Sequence, residues 1–369
     1  MKSRNTGPRK VFLGGNTSRG FYSFYDQVVN PMEANRIFVL KGGPGMGKST
    51  FMQKIGEAMS AQGYHIEYCC CSSDNDSLDG VHIPEIGIVL LDGTAPHIVD
   101  PKNPGAFDEI INLGEYWNEK GLRPLKEAII ELNKEIKGLF QRAYGYLAQA
   151  RILKDEVESY YTDSKALDIT GLNALARGLE RLLLNNARTY LSHRERHLFA
   201  SGITPNGTVN YLESIFAPLE QRYILRGPAG SGKATIVQKL YQAAVNKGIT
   251  VEAFHCSLRP EEIEHLVFPD LKIGVITGTP PHLFRASPGD IILDTGEFVN
   301  YSRLEPFKED IGEADRRYVE ALGRAVSFIS RAKARHDELE AYYTPNMDFD
   351  GVNKCREKIL KRILDYAGE

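Results

Sequence analysis

The stretch RIFVLKGGPGMGKSTFMQKIGEAMSA, residues 36–61, decides the fold. An apolar run from Ile37 to Leu40 stops just before Gly42, and beyond Ser49 apolar residues recur at Phe51, Ile55 and Ala58 with helical spacing. Between them, Gly42-Gly43-Pro44-Gly45-Met46-Gly47-Lys48-Ser49 satisfies the pattern GxxxxGK[ST]. A strand that feeds a glycine-rich loop and then opens a helix is the context in which this pattern cradles phosphate. The glycines let backbone N–H groups curl around an anion, Lys48 neutralises its charge, and the helix N-terminus adds a favourable dipole. Ser49 offers a hydroxyl to Mg²⁺. We therefore expect ATP to lie against Gly43, Pro44, Gly45, Met46, Gly47, Lys48, Ser49 and Thr50.

Working outward, the chain repeats itself. An offset of 185 places Gly42 on Gly227, Lys48 on Lys233, Cys71 on Cys256 and Pro84 on Pro269 without a gap. An offset of 187 aligns FLGGNTSRG at Phe12 with FASGITPNG at Phe199, and an offset of 182 aligns DEIINLGEYWN at Asp108 with DIILDTGEFVN at Asp290. The expected units are residues 1–195 and 196–369. Each holds short apolar runs alternating with loops and one helix, over about 10–118 and 196–300, the pattern of an α/β layer around a largely parallel sheet.

From Pro124 the period changes. Leu125, Ile129, Leu132, Ile136, Leu139, Ala143, Tyr146, Ala150, Leu153, Val157 and Tyr160 form a heptad seam. Leu172, Leu175, Leu179 and Leu182 or Leu183 offer a return helix, so a helical-hairpin arm is expected over about 122–192 and another over about 305–367. The second seam, from Phe307 to Tyr342, has smaller residues and Arg335 in it, and reads as the weaker coiled coil. Such arms suit packing, self-association or a protein partner.

The Mg²⁺ site needs a carboxylate as well. Asp92 ends the apolar run IGIVLLD, and its counterpart is Thr277, while the counterpart of Ser49 is Ala234. Both presumed metal ligands are thus missing together from the second copy, which suggests one site. Gly230, Ser231, Gly232, Lys233, Ala234 and Thr235 keep the cradle and the lysine, so this loop is expected to hold phosphate or nucleotide but to turn it over poorly. Lys48 and Asp92 are the expected catalytic groups. Asp74 and Glu109 are candidates for positioning water, because their counterparts are Arg259 and Ile291. His97 and His282, retained in both copies, read as structural.

Composition narrows the remaining classes. The net charge of -3, with 42% hydrophobic and 25% charged residues, matches an ordinary globular protein and does not point to nucleic acid. No apolar run is long enough to span a bilayer, and the basic start lacks an apolar signal region, so a cytoplasmic location without membrane contact is expected. Five cysteines without a paired CxxC argue against disulfides or structural zinc.

GGPGMGKST, CSS…IPE…LLDGTAPH and DEIINLGEYWN, with their echoes HCS…FPD…ITGTPPH, resemble a bacterial family of tandem P-loop ATPase-like proteins over nearly the whole length. The resemblance implies two P-loop NTPase domains and ATP binding. The departures at Ala234 and Thr277 bear on turnover by the second. The expected function is Mg-dependent ATP hydrolysis in the first half. The alternatives are a nucleotide-sensing scaffold and a small-molecule kinase with its acceptor near DGTAPH. No NKxD-like guanine-reading motif is present.

Overall fold

The computed structural model describes residues 7–94, 98–185, 187, 194–282 and 284–368. The first half runs β1 (Arg9–Val11), β2 (Gly14–Thr17), β3 (Gly20–Ser23), β4 (Arg36–Lys41), α1 (Lys48–Ala61), β5 (Glu67–Cys70), β6 (Leu78–Ile83), β7 (Ile88–Asp92) and β8 (Asp108–Asn112). It ends in the short α2 (Glu119–Leu122), the long α3 (Lys126–Asp163) and α4 (Ile169–Leu184). The second half repeats the order with β9 (Glu195–Leu198), β10 (Ser201–Thr204), β11 (Gly207–Asn210), α5 (Leu212–Phe216), β12 (Gln221–Arg226) and α6 (Lys233–Asn246). It continues with β13 (Val251–His255), β14 (Ile263–Phe268), β15 (Ile273–Thr277), β16 (Ile291–Asp294), α7 (Lys308–Tyr343) and α8 (Phe349–Gly368).

Each half is an α/β layer around a six-stranded sheet, ordered β1-β5-β6-β7-β4-β8 in the first and β9-β13-β14-β15-β12-β16 in the second. The sheets are mixed rather than wholly parallel. β6 and β14 run against the other five strands, because tight turns join them to their neighbours and short connections permit only antiparallel pairing. The three adjacent cysteines, Cys69, Cys70 and Cys71, are buried at the end of β5 as thiols outside any disulfide, as their apolar context implies.

The arms differ from expectation. α3 packs along α7 in antiparallel fashion: Tyr146 stacks on Phe328 at 5.6 Å between ring centroids, Tyr160 meets Phe307 at 5.4 Å, and Glu135 pairs with Arg335 at 3.2 Å. Leu147, Ala150 and Leu153 share a buried cluster with Ala321, Ala325 and Ile329. The seam of α7 is therefore not a weaker coiled coil of its own. Its alanines are the small partners that the larger residues of α3 require.

Nor do the return helices fold back on their own arms. α4 buries Leu172, Ala176, Leu179 and Leu183 against Ile236, Val237 and Leu240 of α6, in the second half. α8 buries Val352, Ile359 and Ile363 with Phe51, Met52 and Ile55 of α1, in the first. The reason is reach. At about 1.5 Å per residue, the 38 residues of α3 carry the chain about 57 Å, across to the other half. There the chain is stitched in: Asp168 N donates to Phe298 O at 2.8 Å and Asn300 N to Ala166 O at 2.7 Å. The same stitch recurs on the other side, where Asn118 N donates to Asn346 O at 2.7 Å and Asp348 N to Tyr116 O at 2.8 Å. The expected pair of self-contained hairpins is thus replaced by two exchanged arms. Among the described residues no helix is long and apolar enough to cross a membrane.

Candidate functional site

β4 lies between β7 and β8, and its C-terminal end delivers the chain into the first glycine loop. Gly45 and Gly47 sit at φ +67° and +78°, left-handed conformations that side chains with a Cβ rarely adopt. Gly47 caps α1 without any side-chain hydrogen bond, so the first amides of the helix face the loop with no side-chain cap. Lys48 is buried at the first position of α1, and its Nζ donates to Gly42 O at 3.0 Å and Gly43 O at 2.7 Å. The lysine thereby ties the loop closed from its own helix.

Register supplies the carboxylate. β7 pairs parallel with β4 so that Asp92 lies opposite Leu40, the last apolar residue before the loop. Asp92 Oδ2 is 3.5 Å from Lys48 Nζ, and Oδ1 accepts hydrogen bonds from Thr94 N, at 2.9 Å, and Thr94 Oγ1. It is both a turn cap and the charge partner of the loop lysine. Ser49 Oγ accepts from Leu78 N at 3.0 Å, which fixes the hydroxyl oxygen at the start of α1. Hard oxygen donors of this kind are what Mg²⁺ takes, and Ser49 and Asp92 are the residues here that could offer them.

The loop is walled by the other half. The Tyr343 ring packs on Gly43, where a Cβ would lie 3.2 Å from it, and Phe349 borders Gly47. A Cβ on Gly45 would lie 2.8 Å from Thr344 Oγ1 and 3.0 Å from the Glu340 carbonyl oxygen, so glycine is required there by space as well as by φ. Gly45 N donates to Glu340 Oε1 at 3.2 Å.

The second loop keeps the same skeleton. Gly230 and Gly232 adopt φ +77° and +89°, and Lys233 Nζ donates to Gly227 O and Pro228 O at 2.7 and 2.6 Å. Tyr161 and Leu172 from the first arm cover Gly230 and Gly232. Ser231 Oγ is spent on Pro228 O and Thr295 Oγ1, at 2.8 and 2.6 Å. At the strand end the chemistry differs. Thr277 Oγ1 donates to Glu264 O at 2.9 Å, and Thr277 N donates to His265 Nδ1 at 3.0 Å. His282 Nε2 lies 2.8 Å from Glu264 Oε2, so His282 is buried against a carboxylate. Burial and then the neighbouring His282 hold the His265 imidazole down at about 3, hence neutral. Glu264, His265 and His282 lie close enough to suggest a metal site. However, the Nδ1 of neutral His265 accepts an N–H, so its proton sits on Nε2 and the ring has no lone pair left for a metal.

Glu109 is not brought to the first loop. It sits mid-strand in β8 opposite Phe38, and Arg362 of α8 clasps it with bonds of 2.8 and 2.6 Å. This corrects the expectation that it positions water. Asp74 closes its own turn by accepting from Asp76 N and Ser77 Oγ, and meets Lys333 of α7 at 3.4 Å. Thr50 and Thr235 are exposed on α1 and α6. His97 lies outside the described residues. The sequence did not single out Glu340, Tyr343 or Phe349, because they reach the loop only through arm exchange. Comparison of the chain with family models, with curated proteins and with solved structures gave no match.

Proposed function

We propose that the first half binds a nucleoside triphosphate, with ATP as the expected nucleotide, and hydrolyses it with Mg²⁺. The second half is then a metal-poor copy that holds phosphate or nucleotide without turning it over. One observation carries this reading: a buried loop lysine, a strand-end carboxylate 3.5 Å from it and a glycine cradle converge at one end of the first sheet. Loop amides and the Lys48 ammonium would take the phosphate oxygens and stabilise charge that develops during transfer. Ser49 and Asp92 would hold Mg²⁺, which supplies charge neutralisation when bound. In the second half Ala234 offers no oxygen and Thr277 has spent its hydroxyl on Glu264 O.

A second reading, a nucleotide-controlled scaffold with little turnover, is favoured by one observation. Both carboxylates expected to position water are engaged elsewhere, Glu109 by Arg362 and Asp74 by its own turn and Lys333. A panel of nucleotides, with binding and phosphate release measured on the same protein with and without Mg²⁺, separates the two. Release well above the metal-free control supports the ATPase. Tight metal-dependent binding without release supports the scaffold.

A further inference from the structure

In a phosphate loop, backbone amides such as that of Gly45 are donors to the bound phosphate. Here that amide already has an anionic acceptor. Glu340 Oε1 takes it at 3.2 Å, from the last turn of α7 and hence from the other half of the chain. The helix end that carries it is packed on the loop: a Cβ on Gly45 would lie 3.0 Å from the Glu340 carbonyl oxygen, the Tyr343 ring rests on Gly43 two residues before, and on its own helix Glu340 Oε1 lies 3.7 Å from His336 Nδ1. A carboxylate and a phosphate present the same chemistry to an N–H, and one amide makes one good bond at a time.

The second copy shows an alternative fate for the same carboxylate. At the offset of 182, Glu340 corresponds to Glu158 and Tyr343 to Tyr161. Tyr161 covers Gly230, the counterpart of Gly45, whereas Tyr343 lies on Gly43, so the same ring walls both loops but two residues apart. Glu158, however, is clasped by Arg259 through bonds of 2.6 and 2.7 Å, and Arg259 stands where the first half has Asp74. The exchange of Asp74 for Arg259 therefore separates a carboxylate on the loop from one held by a cation.

Resting on the nucleotide-binding reading above, we propose that Glu340 gates the first loop. It is a phosphate-mimicking carboxylate supplied by the other half, and an incoming polyphosphate must displace it, so that occupancy of the loop is passed to the corner between α7 and α8. Affinity for nucleotide is then set by competition within the cradle as well as by the cradle itself.

The test is calorimetric titration of MgATP and of inorganic pyrophosphate into the full chain carrying Lys233→Ala, compared with the same chain carrying Glu340→Ala or Glu340→Gln as well. The gate predicts about tenfold tighter binding of both probes with alanine and a smaller gain with glutamine, whose neutral oxygen still accepts the amide. Affinity that is unchanged or weaker with alanine, or a gain for ATP but not for pyrophosphate, overturns it. Lys48→Ala in the same background keeps the two readings apart. If it abolishes binding while Glu340→Ala gives no gain, the gate alone falls. If it leaves binding untouched, or if neither probe binds the Lys233→Ala chain with or without Glu340, both fall.

Discussion

Arg9 of the first half and Glu252 of the second are joined by paired hydrogen bonds of 3.1 and 2.5 Å, and their repeat counterparts Arg196 and Glu67 are joined in the same way. Cross-contacts of 3.2 Å, Arg9 to Glu67 and Arg196 to Glu252, close the four groups into a ring. Nearby, Phe12 and Phe199 exchange backbone hydrogen bonds of 2.9 and 3.0 Å in both directions. The two halves thus meet as symmetric partners would, with like residues opposed across a pseudo-two-fold.

Breaking this ring should cost far more than a surface pair. The Glu67 side chain is 3% exposed, so Glu67→Gln leaves Arg196 without its main counter-charge in a buried setting, and about 3 kcal/mol of stability should be lost. The effect depends on pH. Burial alone would raise the Glu67 carboxyl, but Arg196 and Arg9 outweigh it and hold the group well below its ordinary 4.5. The unfolded chain therefore binds this proton first as pH falls. The stability gap between parent and variant should be full above pH 4.5 and shrink below it. Denaturant unfolding across that range checks this, and a gap that widens in acid contradicts it.

Asp92→Asn tests the metal ligand against the turn cap. Asparagine keeps an oxygen for Thr94, so the turn should survive, while the charge facing Lys48 is lost. Metal-dependent nucleotide binding should fall about tenfold or more, and metal-free binding should stay the same or tighten slightly. Overlapping Mg²⁺ titrations for parent and variant would remove Asp92 from the metal site.

The second loop should reveal itself through its lysine. Burial, and then the nearby Lys154, push the Lys233 ammonium down to about 8. Below that pH it is charged and able to hold an anion. Above it the charge is lost, so pyrophosphate binding in a Lys48→Ala chain should weaken by up to about tenfold per pH unit. Affinity that stays flat to pH 10 would mean that Lys233 takes no part.

Because α3 and α7 belong to different halves, damage to their seam should be felt by both. Leu147 is fully buried in α3 among Ala321, Ala325 and Ile329. Leu147→Ala should cost about 2–5 kcal/mol and lower a single unfolding transition. Two separated transitions would show that the halves are independent and that the exchanged arms contribute little to either.

What was legible in the sequence was local. The strand, glycine loop and helix of residues 36–61 are contiguous, so their spacing alone fixes their geometry. The pairing of Ser49 with Asp92 came from the joint change to Ala234 and Thr277. What was not legible passes through the exchanged arms. A heptad seam specifies the shape of a partner surface but not which segment supplies it; only the match of α3 leucines to α7 alanines carried that information. The partners of Glu109, Asp74 and Gly45 are Arg362, Lys333 and Glu340, all from α7 or α8. No local pattern around Glu109 or Asp74 announces those cations.

The most direct measurement of one metal-competent loop beside a metal-poor copy is equilibrium binding of MgATP to the full chain carrying either Lys48→Ala or Lys233→Ala. Lys48 links the loop carbonyls to Asp92, whereas Lys233 serves a loop that lacks both presumed metal ligands. Lys48→Ala should abolish the Mg²⁺-dependent part of binding, and Lys233→Ala should leave that part at the parental level. Equal loss from the two variants, or a greater loss from Lys233→Ala, would contradict the assignment.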